Sequence, residues 1–230
     1  MLGTSAHALH YAIVALGLGG LLALLAPRFL PGSGAPRDAH DARVRALRSA
    51  LETPYDAGAL LTAARATYVA PGLTQAQRVV LPLVVVSSAA SAGAHAAVGP
   101  AHFREATLFG LFFTTCALGQ VLWAGALALR PSTGLLVAGA VGNLAVLALW
   151  ATTRTLGLPF GLLPEPEAVG PWDLASGAWE LLVVGGCAVL LTRPLPARLV
   201  EAWRWHLGVR TFATVSVLGL VALSLSGAAA

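Results

Sequence analysis

The sequence predicts an all-α membrane protein, a bundle of about six transmembrane helices with amphipathic helices on its cytoplasmic side. Three observations carry this. Of 230 residues, 57% are hydrophobic and only 10% are charged, where an ordinary soluble domain carries roughly 25% charged residues. The mean hydropathy is +0.77. The apolar residues are also gathered into blocks near the ~20 residues a helix needs to cross the hydrocarbon core. Six such blocks recur, at about residues 8–27, 79–97, 106–129, 134–152, 174–192 and 211–228. The whole chain, 1–230, reads as a single transmembrane domain with an insertion at 31–77.

The first block has the wrong polarity for a cleaved signal. No basic residue precedes it, Arg28 lies at its far end, and no A-x-A site follows; it is expected to be a retained span. The insertion after it contains two amphipathic patterns. Asp38 caps a predicted helix running to about Leu51, and Thr53, Pro54 and Asp56 start a second with an apolar stripe of Leu60, Leu61, Ala64 and Tyr68. Pro71-Gly72 ends it, and Thr74 with Gln77 forms a capping box leading into the second span. Arg43, Arg45 and Arg48 suit an inner membrane surface with anionic lipid; a protein-docking surface is the competing reading. The segment Pro194–Arg210 has a similar character, with Trp203, Arg204, Trp205 and His206 suited to the headgroup region.

All 14 basic residues are arginine, a bias that fits a GC-rich genome. Their placement sets an orientation. Arg28, Arg37, Arg43, Arg45, Arg48, Arg65, Arg78, Arg130, Arg193, Arg198, Arg204 and Arg210 fall in odd-numbered connections, while Arg104 and Arg154 fall in even ones. Arginine-rich short loops stay in the cytoplasm. The expectation is a multi-pass protein of a bacterial cytoplasmic (inner) membrane, N-out and C-out. The pI of about 9.8 is then a matter of topology, and nucleic acid is not an expected partner.

The polar residues inside or beside the spans carry the functional reading, because charge within a bilayer is expensive. His7 and His10 begin the first span, and His95 lies near the end of the second. His102, Arg104 and Glu105 occupy the next turn, Arg154 ends the fourth span, and Glu165, Glu167 and Asp173 sit in the last outer loop. Glu180 lies one to two turns inside the fifth span, where Arg154 or His95 is its expected partner. Gln120 and Asn143 fall near the bilayer centre at matching depth, suited to a hydrogen bond between helices.

Three readings of this cluster stay open. His95, His102, His7 and His10 are candidate ligands for haem, copper, iron or zinc, with the acids orienting them. Alternatively, Glu180, His95 and Arg154 mark a proton or ion path in a transporter or permease-like protein. The third reading is a packing network of Arg104, Glu105, Arg154, Asp173, Glu180, Gln120 and Asn143, in a structural subunit of a larger complex or a homo-oligomer. Cys116 and Cys187 read as small apolar filler. Ser87 and Ser91, and Gly139 and Gly142, read as small residues for close helix packing. No GxSxG, HExxH or phosphate-cradling glycine loop occurs, so a soluble-type hydrolase or nucleotide-binding enzyme is not expected.

One stretch is familiar as a whole. Asn143, Trp150, Arg154-Thr155, Gly157-Leu158-Pro159, Val169-Gly170, Asp173 and Glu180 follow His95, His102-Phe103-Arg104-Glu105, Phe112-Phe113 and Gln120. Over about residues 85–192 this resembles uncharacterised multi-spanning membrane proteins of GC-rich bacteria, mainly actinobacteria. The resemblance implies fold and location only. Within the stretch, prolines 159, 164, 166 and 171 stiffen the loop after Arg154 while Gly157 and Gly161 let it bend. A lid folded back over the bundle is expected, with its acids meeting Arg104 and Arg154.

Overall fold

In the computed structural model the described residues are Arg48, 73–159 and 162–226. The predicted span at 8–27 and the two predicted helices of the 31–77 insertion lie outside them, Arg48 and the last few residues of the insertion excepted. The described chain is helical and forms no β-strand; its one bridge pairs Leu158 with Leu163. Among the described residues, five helices are long and apolar enough to cross a membrane. We number them α1 (Leu81–Glu105), α2 (Thr107–Leu129), α3 (Thr133–Thr155), α4 (Pro171–Leu191) and α5 (Leu207–Leu225).

The capping box forms as the sequence suggests. Thr74 N donates to Gln77 Oε1 at 2.9 Å and Gln77 N to Thr74 Oγ1 at 3.3 Å. A single π-helical turn, Ala76–Val80, follows before α1 begins. Pro82 accounts for the irregularity: it has no N–H to offer Arg78 O, four residues earlier. The freed Arg78 carbonyl accepts His206 N–H instead, at 2.9 Å. The start of α1 is thereby tied to the start of α5.

α1 is the central helix. In its apolar window 67% of residues are buried inside the bundle, against 33% or less for the others. It also runs two turns further than the sequence suggests. The predicted span ends near residue 97, yet the helix continues through Pro100 to Glu105, as helices in a membrane-type bundle tolerate. His102, Arg104 and Glu105 therefore belong to the last turn of α1 and not to a loop. Ala106 alone, extended at φ −156° and ψ 138°, turns the chain into α2. The two helices close tightly there, because a Cβ on Gly110 would lie 2.0 Å from the Phe103 ring.

Two apolar cores hold the bundle. Around Leu81, Val84, Leu127, Val183, Cys187 and Leu190, α1, α2 and α4 meet; Gly186 leaves the space that Val84 fills. Ala90, Ala94, Trp172 and Trp179 form the second, where Trp179 Nε1 donates to Ser216 Oγ of α5 at 3.2 Å. The outward faces are apolar as well: Leu122, Val141, Leu181 and Val215 are all more than half exposed. A soluble protein rarely exposes such continuous apolar surface, whereas lipid requires it. The chain is an integral membrane protein.

The segment before α5 differs from expectation. Apart from a 3₁₀ turn at Ala202–Arg204 it is not helical. Trp205 is 3% exposed and belongs to the first core, its Nε1 donating to Val200 O at 2.8 Å. Trp203 alone of the pair is exposed. Leu199 N reaches Ala128 O at 2.9 Å, so the segment is pinned to the bundle by backbone bonds.

Candidate functional site

Two polar pairs, each spaced by one helical turn, face one another across the bundle. Ser91 and His95 lie on α1, and Ser176 and Glu180 on α4. The i, i+4 spacing puts each pair on one face, and all four side chains are buried. His95 Nε2 stands 2.9 Å from Glu180 Oε1. Ser91 Oγ donates to the same oxygen at 3.2 Å and Gln120 Nε2 at 3.3 Å. Ser176 Oγ lies 3.0 Å from Ser91 Oγ and 3.5 Å from His95 Nε2. An oxygen that accepts from both an amide and a hydroxyl is an acceptor, so the imidazole donates from Nε2.

The network extends across α2 to α3. Gln120 Nε2 also donates to Asn143 Oδ1 at 3.2 Å, and Asn143 Nδ2 donates to Gly139 O at 2.8 Å. Gln120 and Asn143 thus meet at the depth where the sequence places them. Gly139 gives the close approach the sequence suggests, and Gly142 does not. A Cβ on Gly139 would lie 2.1 Å from the Trp123 ring, while Gly142 faces open space.

Glu180 lies deeper than expected. Because α4 starts at Pro171, the carboxylate is nine residues in, about 14 Å along the helix axis. His95 is ten residues from the end of α1, about 15 Å by the same measure. Arg154 does not reach them. It pairs with Glu167 and with Asp173 Oδ1 at 2.8 Å, and its Nη1 also meets Thr153 Oγ1 at 3.2 Å. Asp173 Oδ2 in turn accepts Gly170 N at 2.7 Å at the start of α4. Arg154 therefore clasps both ends of the loop between α3 and α4. Gly157, at φ +74°, makes the first bend of that loop, and Leu158 N bonds Leu163 O at 2.7 Å. Arg104 is exposed and joins no ion pair among the described residues.

Between the His95–Glu180 pair and the Arg154 clasp lies a cavity of about 520 Å³. Its walls are largely apolar and aromatic, with Phe109, Phe112, Phe113, Leu149, Trp150 and Trp172, and the loop residues Leu158, Leu162 and Leu163 cover it. His102 stacks on Phe113 at 4.2 Å, and its Nδ1 bonds Glu105 Oε2 at 2.8 Å on the rim. Three donors in the walls, Trp150 Nε1, Trp172 Nε1 and Arg154 Nε, are buried without an acceptor among the described residues. A second hollow of about 320 Å³ lies between α2 and α3, lined by Cys116, Gln120, Trp123 and Asn143.

His95 and His102 are thus brought to one cavity, each bonded to a carboxylate. His7 and His10 lie outside the described residues. Among the described residues no three His, Cys, Asp or Glu side chains stand close enough together to hold a metal ion. Cys116 and Cys187 are free thiols. Sequence reasoning missed Ser91 as a partner of Glu180 and Ser176 as a partner of Ser91 and His95. The available signal was their i, i+4 spacing from His95 and Glu180 on two apolar helices. No protein family, curated protein or solved structure matches the chain.

Proposed function

We propose that this is a binding protein of a bacterial cytoplasmic membrane, holding a small and largely apolar molecule in the cavity that His95 and Glu180 floor. The cavity itself is the observation that carries the reading. Its volume of about 520 Å³ falls in the ~300–1,000 Å³ range of small-molecule sites, which are mostly apolar with a few placed polar groups. A packing network alone needs no such space. The arginine pattern supports a mouth on the outer side: Arg78, Arg130, Arg193, Arg198, Arg204 and Arg210 all lie at or beyond the helix ends opposite to His102 and Glu105. The bacterial setting is part of the proposal, resting on the resemblance read in residues 85–192 of the sequence.

Extraction tests the reading. Denaturing the purified protein and analysing the released small molecules by mass spectrometry is expected to yield one recurrent compound at near-stoichiometric level. Ala101 lines the cavity, and Ala101→Trp, which fills it, should lower that yield at least several-fold while the protein stays folded. Equal yields from both proteins would refute the reading. The same samples report haem, copper, iron or zinc.

One observation favours a second reading, proton- or ion-coupled permeation. Gln120 and Asn143 link Glu180 by hydrogen bonds to the hollow between α2 and α3. Flux through liposomes that is abolished by Glu180→Gln in a folded protein would support it.

A further inference from the structure

We infer that the cavity selects a ligand with an aromatic hydroxyl, which donates its hydrogen bond to His95 Nδ1. The inference rests on the cavity being a binding site and specifies what enters it. Glu180 Oε1 accepts from Ser91 and Gln120, so it accepts the hydrogen bond of His95 Nε2–H as well. In a neutral imidazole that bond holds the Nε2–H form and leaves Nδ1 as a lone-pair acceptor, the form the inference requires. Nδ1 has no partner among the described residues, yet it is not among the sealed, unpartnered atoms. His95 is 5% exposed and lines the cavity. The residual opening of its ring therefore gives onto that space.

An acceptor at the floor of an apolar cavity selects for a donor on the ligand. A ketone, an ether or a hydrocarbon cannot satisfy it, and each leaves the imidazole lone pair desolvated. A hydroxyl can. The body of the ligand is indicated by the walls: Phe112, Phe113, Trp150 and Trp172 suit a flat ring packed face or edge on.

Two probes of nearly equal size separate this from simple partition. 1-Naphthol and 1-methylnaphthalene differ by a hydroxyl against a methyl, and lipid alone favours the methyl. With the full-length protein in nanodiscs, corrected for empty nanodiscs, 1-naphthol is expected to bind saturably and about tenfold more tightly. His95→Phe should remove that preference while leaving 1-methylnaphthalene binding in place. Imidazole ¹⁵N spectra of the unsubstituted protein give an independent readout should His95→Phe fail to fold. They should show His95 protonated at Nε2 and bare at Nδ1, with Nδ1 alone shifting on naphthol addition.

Equal saturable binding of the two probes overturns the donor selection and leaves the cavity reading standing. Absence of saturable binding by either probe overturns the inference, and the extraction experiment then decides the cavity reading separately. Stoichiometric copper or zinc that is lost in His95→Phe overturns it too, since Nδ1 would then be a metal ligand.

Discussion

His95 Nε2 on α1 and Glu180 Oε1 on α4 stand 2.9 Å apart, with side-chain exposures of 7% and 2%. Few pairs in the bundle join partners so far apart in sequence and so deeply enclosed. Removing one partner leaves the other desolvated without its bond. A double-mutant cycle with His95→Ala and Glu180→Ala should give a coupling of about 1–3 kcal/mol. That exceeds the ~0.6 kcal/mol average of hydrogen bonds between transmembrane helices. Glu180→Gln, which keeps a carbonyl acceptor, should destabilise less than Glu180→Leu. Reversible unfolding in mixed micelles measures both, and a coupling near zero would contradict the pairing.

Gly139 gives a steric test of the α2–α3 contact. An alanine methyl there would lie 2.1 Å from a Trp123 ring carbon, and the Nε1 of that ring donates to Leu135 O at 2.8 Å. Gly139→Ala should therefore destabilise by about 1–3 kcal/mol, the range of overpacked sites. Gly119→Ala and Gly142→Ala meet nothing within 4 Å and should be near neutral. Thermal unfolding of the three variants checks the contrast.

The Arg154 clasp is tested by exchange kinetics. Arg154→Ala frees Glu167 and Asp173 together. Amide exchange should then rise at Glu167, whose N–H bonds Thr153 O, and at Gly170, whose N–H bonds Asp173. Arg154→Lys should recover only part of the protection, because an ammonium lacks the planar fork that addresses two carboxylates.

Orientation is open to labelling. With Cys116 and Cys187 replaced by Ala, a membrane-impermeant thiol reagent added outside intact cells should label Pro164→Cys. It should not label Arg198→Cys until the membrane is opened. The reverse pattern would turn the cavity mouth toward the cytoplasm.

Much of the fold is readable from hydropathy alone, because lipid exposes what water would bury: Leu122 and Val141 are outward-facing in the structure and apolar in the sequence. Gln120 and Asn143 are legible for the same reason, since amides in mid-span have few partners. The misreadings have separate physical causes. Gly99-Pro100 ends helices in water, but inside α1 it does not, so His95 comes out some 12 Å deeper from its helix end than the predicted span implies, counting about 1.5 Å per residue. Serine is both small and polar; Ser91 reads as a packing residue until Glu180 is opposite it. Arg154 was within reach of several acids in sequence terms, and only the α3–α4 loop geometry selects Glu167 and Asp173. The cavity is the least legible feature, because empty space between helices leaves no periodic trace.

The most direct measurement of the central claim is a high-resolution electron cryomicroscopy map of the protein in native-lipid nanodiscs, with a rigid antibody fragment bound for alignment. Non-protein density in the cavity, with an atom about 3 Å from His95 Nδ1, is the predicted result. A cavity closed by Phe112 and Phe113 against the His95–Glu180 pair, with no foreign density, would contradict it.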